Sequence, residues 1–227
     1  LELDMADIIL MNSGRLAGRR VAVLMETDYV EHEIDYYRRR FAEEGARVDL
    51  ITRLWGAPEL TFQGHEHRLP ITVDGDLEAL DDEALRGYDA LIVPSGMVSD
   101  RLRFAETAGD LSPAVRLLNR AFAEAGLLKG IICHGMWLVS PIAEAVRGRA
   151  LTCHHNLVSD VRHMGARYTD QDIVVDRDLV TARSADHCHL FARTLIELIA
   201  ARTARRDVRL RRATPARLPA RKEPHHV

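Results

Sequence analysis

An α/β fold, a three-layer sandwich around a mostly parallel central sheet, is predicted by three features of this chain. Short, almost wholly apolar runs at residues 20–25, 89–94 and 130–132 have the length and composition of strands buried on both faces. Between them lie segments whose apolar residues recur at helical spacing. The connections are short and strand alternates with helix, as in successive βαβ units.

The elements follow in order. Residues 20–25 (Arg-Val-Ala-Val-Leu-Met) read as the first strand. Asp28 then offers an N-cap, and Glu31 three residues on offers the partner of a capping box. The helix that follows carries Val30, Ile34, Tyr37 and Phe41 on one face and ends at Gly45. A strand at 48–52 completes the first βαβ unit. Residues 55–75 alternate irregularly and predict edge strands and a loop. After the strand at 89–94, Ser112 and Pro113 supply an N-cap and a first-turn proline. Val115, Leu118, Phe122 and Ala125 form that helix's buried face, and Gly126 stops it. The strand at 130–132 runs straight into Cys133, with a helix expected over about 136–146. Short strands near Leu151, 173–175 and 179–181 precede a last helix that buries Phe191, Leu195, Leu198 and Ile199. The expected organisation is an N-terminal extension at 1–18, a single α/β domain at 19–203, and a basic tail at 204–227.

Composition narrows the function classes. With 47% hydrophobic and 29% charged residues in 227, the chain is ordinary for a soluble globular domain. The formal net charge of -3 conceals a net of about +7 in residues 201–227, which leaves the rest at about -10. An acidic body argues against nucleic-acid binding, because phosphate recognition needs a basic face on the fold itself. The Arg-Pro-Ala tail reads as solvated. No run approaches the roughly 18–20 apolar residues of a membrane span. Glu2, Asp4 and Asp7 stand where a signal peptide would be basic. The three cysteines lack framework spacing, which points to a reducing compartment. The expected location is cytoplasmic.

In open parallel sheets, reacting groups gather beyond the carboxyl ends of the strands. Three polar features fall there. Cys133 lies in a strand-to-turn junction with Gly135 two residues later, an arrangement like a nucleophile elbow. A following helix N-terminus would raise its thiolate fraction. The same residue also reads as a core cysteine ending an apolar strand. Glu33 projects on the apolar face of the first helix, where burial raises a carboxyl pKa; alternatively it snorkels to water. Pro94-Ser95-Gly96 closes a strand, and Gly96 lets backbone approach a ligand.

These segments resemble the ThiJ/PfpI superfamily. Ile132-Cys133-His134-Gly135 is similar to its nucleophile motif, and residues 29–34 (Tyr-Val-Glu-His-Glu-Ile) to its first helix. Residues 89–96 resemble its oxyanion strand and residues 174–183 its closing hairpin, in the right order over about 20–202. The resemblance implies a flavodoxin-like fold, also found in class I glutamine amidotransferases. It implies Cys133 as nucleophile, His134 and Glu33 as proton carriers, and oxyanion or substrate contacts from Gly96, Gly135 and His154; His187, which clusters with His155 and His189 about the closing turn, is a further candidate for substrate contact. Asp100 matches a glutamate that, in the intracellular-protease branch, reaches the histidine of a neighbouring subunit. A homodimer or higher homo-oligomer with the site near its interface follows from that.

Asp100 is one methylene shorter than the family's glutamate, and Ser95 replaces the first glycine of Pro-Gly-Gly. Asp186-His187-Cys188-His189 lacks the late His-x-Glu of a glutaminase triad. The His cluster fits no structural zinc spacing, so no metal and no cofactor are expected. The expected activity is cysteine-dependent attack on a small electrophilic carbonyl, by glyoxalase-like hydration or by hydrolysis, with a small molecule as partner. The alternatives are an intracellular peptidase or a non-enzymatic redox-sensing or chaperone-like dimer.

Overall fold

Strand and helix alternate through residues 14–213, which the computed structural model describes. The order is β1 (Arg20–Leu24), α1 (Glu31–Glu43), β2 (Arg47–Thr52), β3 (Leu60–Gln63), β4 (Pro70–Val73), β5 (Gly75–Asp76), α2 (Asp82–Arg86) and β6 (Ala90–Val93). There follow α3 (Val98–Leu102), α4 (Pro113–Ala123), β7 (Leu128–Ile132), β8 (Ala150–Leu151), α5 (Val158–His163), β9 (Arg167–Tyr168), β10 (Ile173–Asp176), β11 (Leu179–Ala182) and α6 (Cys188–Ala213). Seven strands form one sheet in the order β10-β11-β7-β6-β1-β2-β5. Every pair is parallel except the β10–β11 hairpin.

The central strands are apolar because they are covered on both sides. Every residue of β6 and β7 is buried. Register is tight: Val23 lies opposite Leu50 and Ile92, and Ile131 opposite Val93 and Thr181. The helices α1 and α6 pack together on one face, where the rings of Tyr37, Phe41 and Phe191 meet. On the other, α4 packs against the turns that follow β5 and β7. Its start is as the sequence predicts, with Ser112 Oγ accepting from Val115 N–H. This is the predicted single-domain α/β sandwich, and its parallel strands bring the ends of β1, β6, β7 and β11 to one edge.

Four local expectations are corrected. Asp28 caps nothing: Val30 occupies the N-cap of α1, and Asp28, at φ +63°, pairs with Arg68 at 2.8 Å and with Arg101. Its expected partner Glu31 reaches outward to the β3–β4 hairpin, accepting from the N–H groups of Glu66 (2.9 Å) and His67 (2.7 Å). Residues 55–75 hold that hairpin as a separate two-stranded sheet, with β5 at the main sheet's edge. The helix expected at 136–146 is two short 3₁₀ turns, Cys133–Leu138 and Ser140–Ala145. Pro141 brings no N–H, and Ile142 leaves helical geometry at φ -122°, ψ 43°.

Leu16 is fully buried and donates its N–H to Glu44 O at 2.8 Å, so residues 14–18 pack on the body. The last helix continues to Ala213, past the expected limit at 203/204, and Arg202 Nη1 donates to Gly126 O at 3.0 Å. Residues 1–13 and 214–227 lie outside the described residues. Among the described residues no helix is long and apolar enough to cross a membrane.

Glu31 ties α1 to the hairpin electrostatically. Burial opposes its charge, but the backbone N–H groups outweigh it and hold the carboxyl down to about 2. A depressed carboxyl contributes stability above its unfolded pKa, lost as pH falls through the folded value. Glu31→Gln is therefore expected to lose up to about 3 kcal/mol at neutral pH. Denaturant midpoints should converge with wild type between about pH 4.5 and 2. A gap that persists at pH 2 would mean that Glu31 acts by packing alone.

Candidate active site

Cys133 is the first residue beyond β7 and adopts φ +58°, a conformation that costs a residue with a Cβ roughly 1–2 kcal/mol. The chain is held there by its neighbours. A Cβ at Gly135 would lie 2.7 Å from Val93 O and 3.1 Å from Pro94 O, so only glycine lets the turn pass the end of β6. Ser99 Oγ, buried on α3, donates to His134 O at 2.7 Å. The strained turn presents the thiol to groups from three other elements, as in a nucleophile elbow.

The first is α1. Glu33 is fully buried and accepts from Ser95 N–H, at 3.1 Å and 3.3 Å to its two oxygens. Burial pushes its carboxyl up to about 7, against the Ser95 and Tyr37 hydroxyls and Ser95 N–H, which favour the charge. Near neutrality it thus holds a proton about half of the time. Ser95 Oγ and Tyr37 Oη are both buried, close enough to bias Glu33 yet without a hydrogen bond of good geometry. The second element is the end of β6. Gly96 lies at φ +78°, where a side chain would collide with Asp28 O, and Met97 N–H donates to that oxygen at 3.1 Å. The third is the turn after β11, whose Ala185 N–H favours ionisation of Cys133.

The thiol itself is not acidic at rest. Burial pushes Cys133 up to about 11; His134 N–H, Ser95 Oγ and Ala185 N–H oppose this, while Glu33's charge adds to it. This corrects the expectation of a thiolate made by a helix terminus: the helix is a short 3₁₀ turn with a smaller aligned dipole. A base is at hand instead. His134 Nδ1 lies 3.2 Å from Cys133 Sγ, and burial, then His154, lower the imidazole's pKa and favour its neutral form. Its ring is flanked by Trp137 and His154, at centroid distances of 4.8 Å and 4.3 Å.

Of the predicted site residues, the structure brings together Cys133, His134, Glu33, Gly96, Gly135 and His154. His187 is engaged by other groups: Nδ1 lies 2.9 Å from Ser184 Oγ and Nε2 3.4 Å from Asp172. The turn that carries it meets Cys133 through the N–H of Ala185. Asp100 is exposed on α3 and its carboxylate makes no hydrogen bond or ion pair among the described residues, while its buried neighbour Ser99 supports His134. Tyr37 and Ser99 escaped sequence reasoning, and Ser95 stood out only as a departure from Pro-Gly-Gly. Tyr37 looks like one more member of an apolar stripe, and a serine on a short helix carries no distinguishing pattern. For a metal, the candidate donors are Cys133, His134 and His154, whose ligand atoms lie within 4.8 Å of one another.

Comparison with known proteins agrees with this architecture. An Escherichia coli K12 protein named "Protein/nucleic acid deglycase 2" is 31% identical over 185 residues, covering 81% of this chain and 99% of the relative. A "Putative cysteine protease YraA" from Bacillus subtilis is 26% identical, covering 80% and 99%. Among solved structures, a two-domain protein from Anabaena variabilis with DJ-1/ThiJ/PfpI-like and ferritin-like domains superposes with TM-score 0.69 at 24% identity. That match covers 80% of this chain and 48% of the longer one. A Salmonella typhimurium DJ-1 superfamily protein gives 0.67 at 21% identity, covering 85% and 98%. The DJ-1/PfpI family model matches residues 19–198, which hold the elbow, Glu33 and the closing hairpin, and the chain belongs to that family.

Proposed function

We propose that this protein is a cofactor-independent cysteine enzyme that attacks the carbonyl carbon of a small dicarbonyl, free or as an adduct on protein or nucleic acid. The observation that carries this reading is the strained Cys133 with His134 Nδ1 at 3.2 Å. A thiol at about 11 stays protonated at neutral pH, so attack requires a base that removes the proton as the bond forms. His134 takes the proton while Sγ bonds to carbon. The carbonyl oxygen gains the electron pair and is stabilised by backbone N–H groups, those of Gly96 and His134. Glu33 in its protonated form supplies a proton to the oxygen. Glu33, now a carboxylate, moves the C1 proton of the thiohemiacetal to the neighbouring carbonyl carbon through an enediol, so that no external oxidant is needed; water hydrolyses the resulting 2-hydroxyacyl thioester to the acid and returns the thiol. The name of the Escherichia coli relative supports the adduct as substrate, and that of the Bacillus subtilis relative supports a peptide bond as the alternative.

A substrate panel separates these readings. Methylglyoxal, a methylglyoxal-modified amine and a fluorogenic peptide are assayed with wild type beside Cys133→Ser. Cys133-dependent loss of the dicarbonyl or its adduct is expected. Turnover of the peptide alone would move the assignment to a peptidase, and no Cys133-dependent turnover at all would favour a redox-sensing or chaperone-like role.

Asp100 has no partner within its own chain among the described residues, so we propose that it acts on His134 of a second copy. Asp100→Ala is expected to lower turnover about tenfold, less than loss of the nucleophile, because an orienting group contributes less. Mixing Cys133→Ala with Asp100→Ala subunits should restore activity above the sum of the two. No recovery once subunit exchange is demonstrated would place Asp100 outside the mechanism.

A further inference from the structure

We infer that Cys133, His134 and His154 form a three-ligand site for a borderline-soft cation of the Zn²⁺ type, whose binding silences the thiol. The silencing rests on the proposed nucleophile; the binding does not. Sγ of Cys133 and a ring nitrogen of each histidine lie within 4.8 Å of one another, and Sγ is already 3.2 Å from His134 Nδ1. Metal–ligand bonds of about 2.0–2.3 Å place the ligands of a tetrahedral zinc roughly 3.3–3.7 Å apart. The Cys133–His134 pair is close to that spacing, and His154 needs an inward movement of about 1 Å.

The surroundings suit such a role. His154 Nδ1 accepts from Asn156 N–H at a long 3.3 Å, which orients the ring with its proton on Nε2; an ion is bound at Nδ1 in place of this donor, or at Nε2 once the proton has moved to Nδ1. His134 is backed by Trp137 and by the Ser99 bond to its carbonyl. Both imidazoles are partly exposed while the thiol is buried, so an ion arriving from solvent meets them before the sulfur. One thiolate with two imidazoles selects zinc or a soft ion over Mg²⁺ and Ca²⁺, which prefer oxygen. Three protein ligands leave a fourth position for water, and such a site exchanges its ion more readily than a closed four-ligand one. Binding transfers the thiol proton to solvent and replaces S–H by S–Zn. The sulfur lone pair needed for attack on a carbonyl is then committed to the metal.

The test uses full-length protein carrying His225→Ala and His226→Ala, so that histidines of the tail do not compete. Titration with Co²⁺ is expected to give a near-ultraviolet thiolate-to-cobalt band and the visible spectrum of a tetrahedral site, both displaced by Zn²⁺. Cys133→Ser should abolish the band. His154→Ala should weaken Co²⁺ binding about a hundredfold, and His154→Gln likewise if the alanine variant folds poorly. Cys153→Ser and Cys188→Ser should leave binding unchanged. In the same samples Zn²⁺ should protect Cys133 from iodoacetamide, read by peptide mapping. Absence of the band, its survival in Cys133→Ser, or undiminished affinity in His154→Ala would overturn the site. A band without protection would overturn the silencing. Neither readout involves a substrate, so a failure here is distinct from a failure to find carbonyl turnover.

Discussion

Cys133→Ala is expected to lower turnover of the productive substrate by about ten-thousandfold or more, with the fold retained and stability changed by about 1 kcal/mol. The side chain is small and alanine accepts the same backbone, so the loss is chemical. It removes the only atom positioned at once by a φ of +58°, by His134 Nδ1 at 3.2 Å and by Ala185 N–H. His134→Ala should cost about a hundredfold to a thousandfold, because a thiol pushed up to about 11 cannot ionise unaided near neutrality. The double variant should be no slower than Cys133→Ala alone, since a base without a nucleophile has no proton to take. Single-turnover rates measured beside circular dichroism check the set. A double variant markedly slower than Cys133→Ala would show His134 acting on substrate in its own right.

The parts of this molecule that were legible in its sequence are those in which burial is continuous. Residues 20–24, 90–93 and 128–132 are buried strands, so their apolar runs, alternating with helices, announce a parallel sheet, whereas the strand order is visible only in the structure. Glu33 was legible for the same reason, as a charge interrupting a helical apolar stripe. Parts governed by a single backbone contact were not. Asp28 has the composition of an N-cap, yet its tertiary pairing with Arg68 and Arg101 competes successfully with the local bond. The segment after Cys133 is rich in helix-forming residues, but Pro141 and the packing of Gly135 against β6 divide it into 3₁₀ turns. That difference changes the chemistry. A long helix would have argued for a resting thiolate, whereas the short turns leave deprotonation to His134. Asp100 matched a family position, and the folded chain shows it exposed; within one chain Ser99 supports the histidine.

Glu33→Gln is expected to stabilise the protein at alkaline pH while slowing its catalysis. The carboxyl sits at about 7 in the folded chain against 4.5 for the free group, because burial disfavours its charge. With the folded pKa raised, the native state holds the extra proton between these values. The contribution to stability is therefore complete below about pH 4.5 and lost as pH rises through 7. Above that window the ionised Glu33 costs the native state about 3 kcal/mol, a figure that follows from the shift alone. Glutamine keeps an oxygen to accept Ser95 N–H and has no charge to bury. Its unfolding free energy should thus equal wild type near pH 4 and exceed it by up to about 3 kcal/mol at pH 8. Cys133 should feel the change too: without Glu33's negative charge its thiol becomes more acidic, so iodoacetamide labels it faster at pH 8 in the variant. Turnover should nevertheless fall about a hundredfold, because glutamine cannot deliver a proton to the substrate oxygen. Faster labelling combined with slower turnover is the signature of a proton donor. If labelling and turnover instead rise together, Glu33 restrains the thiol without taking part in the chemistry.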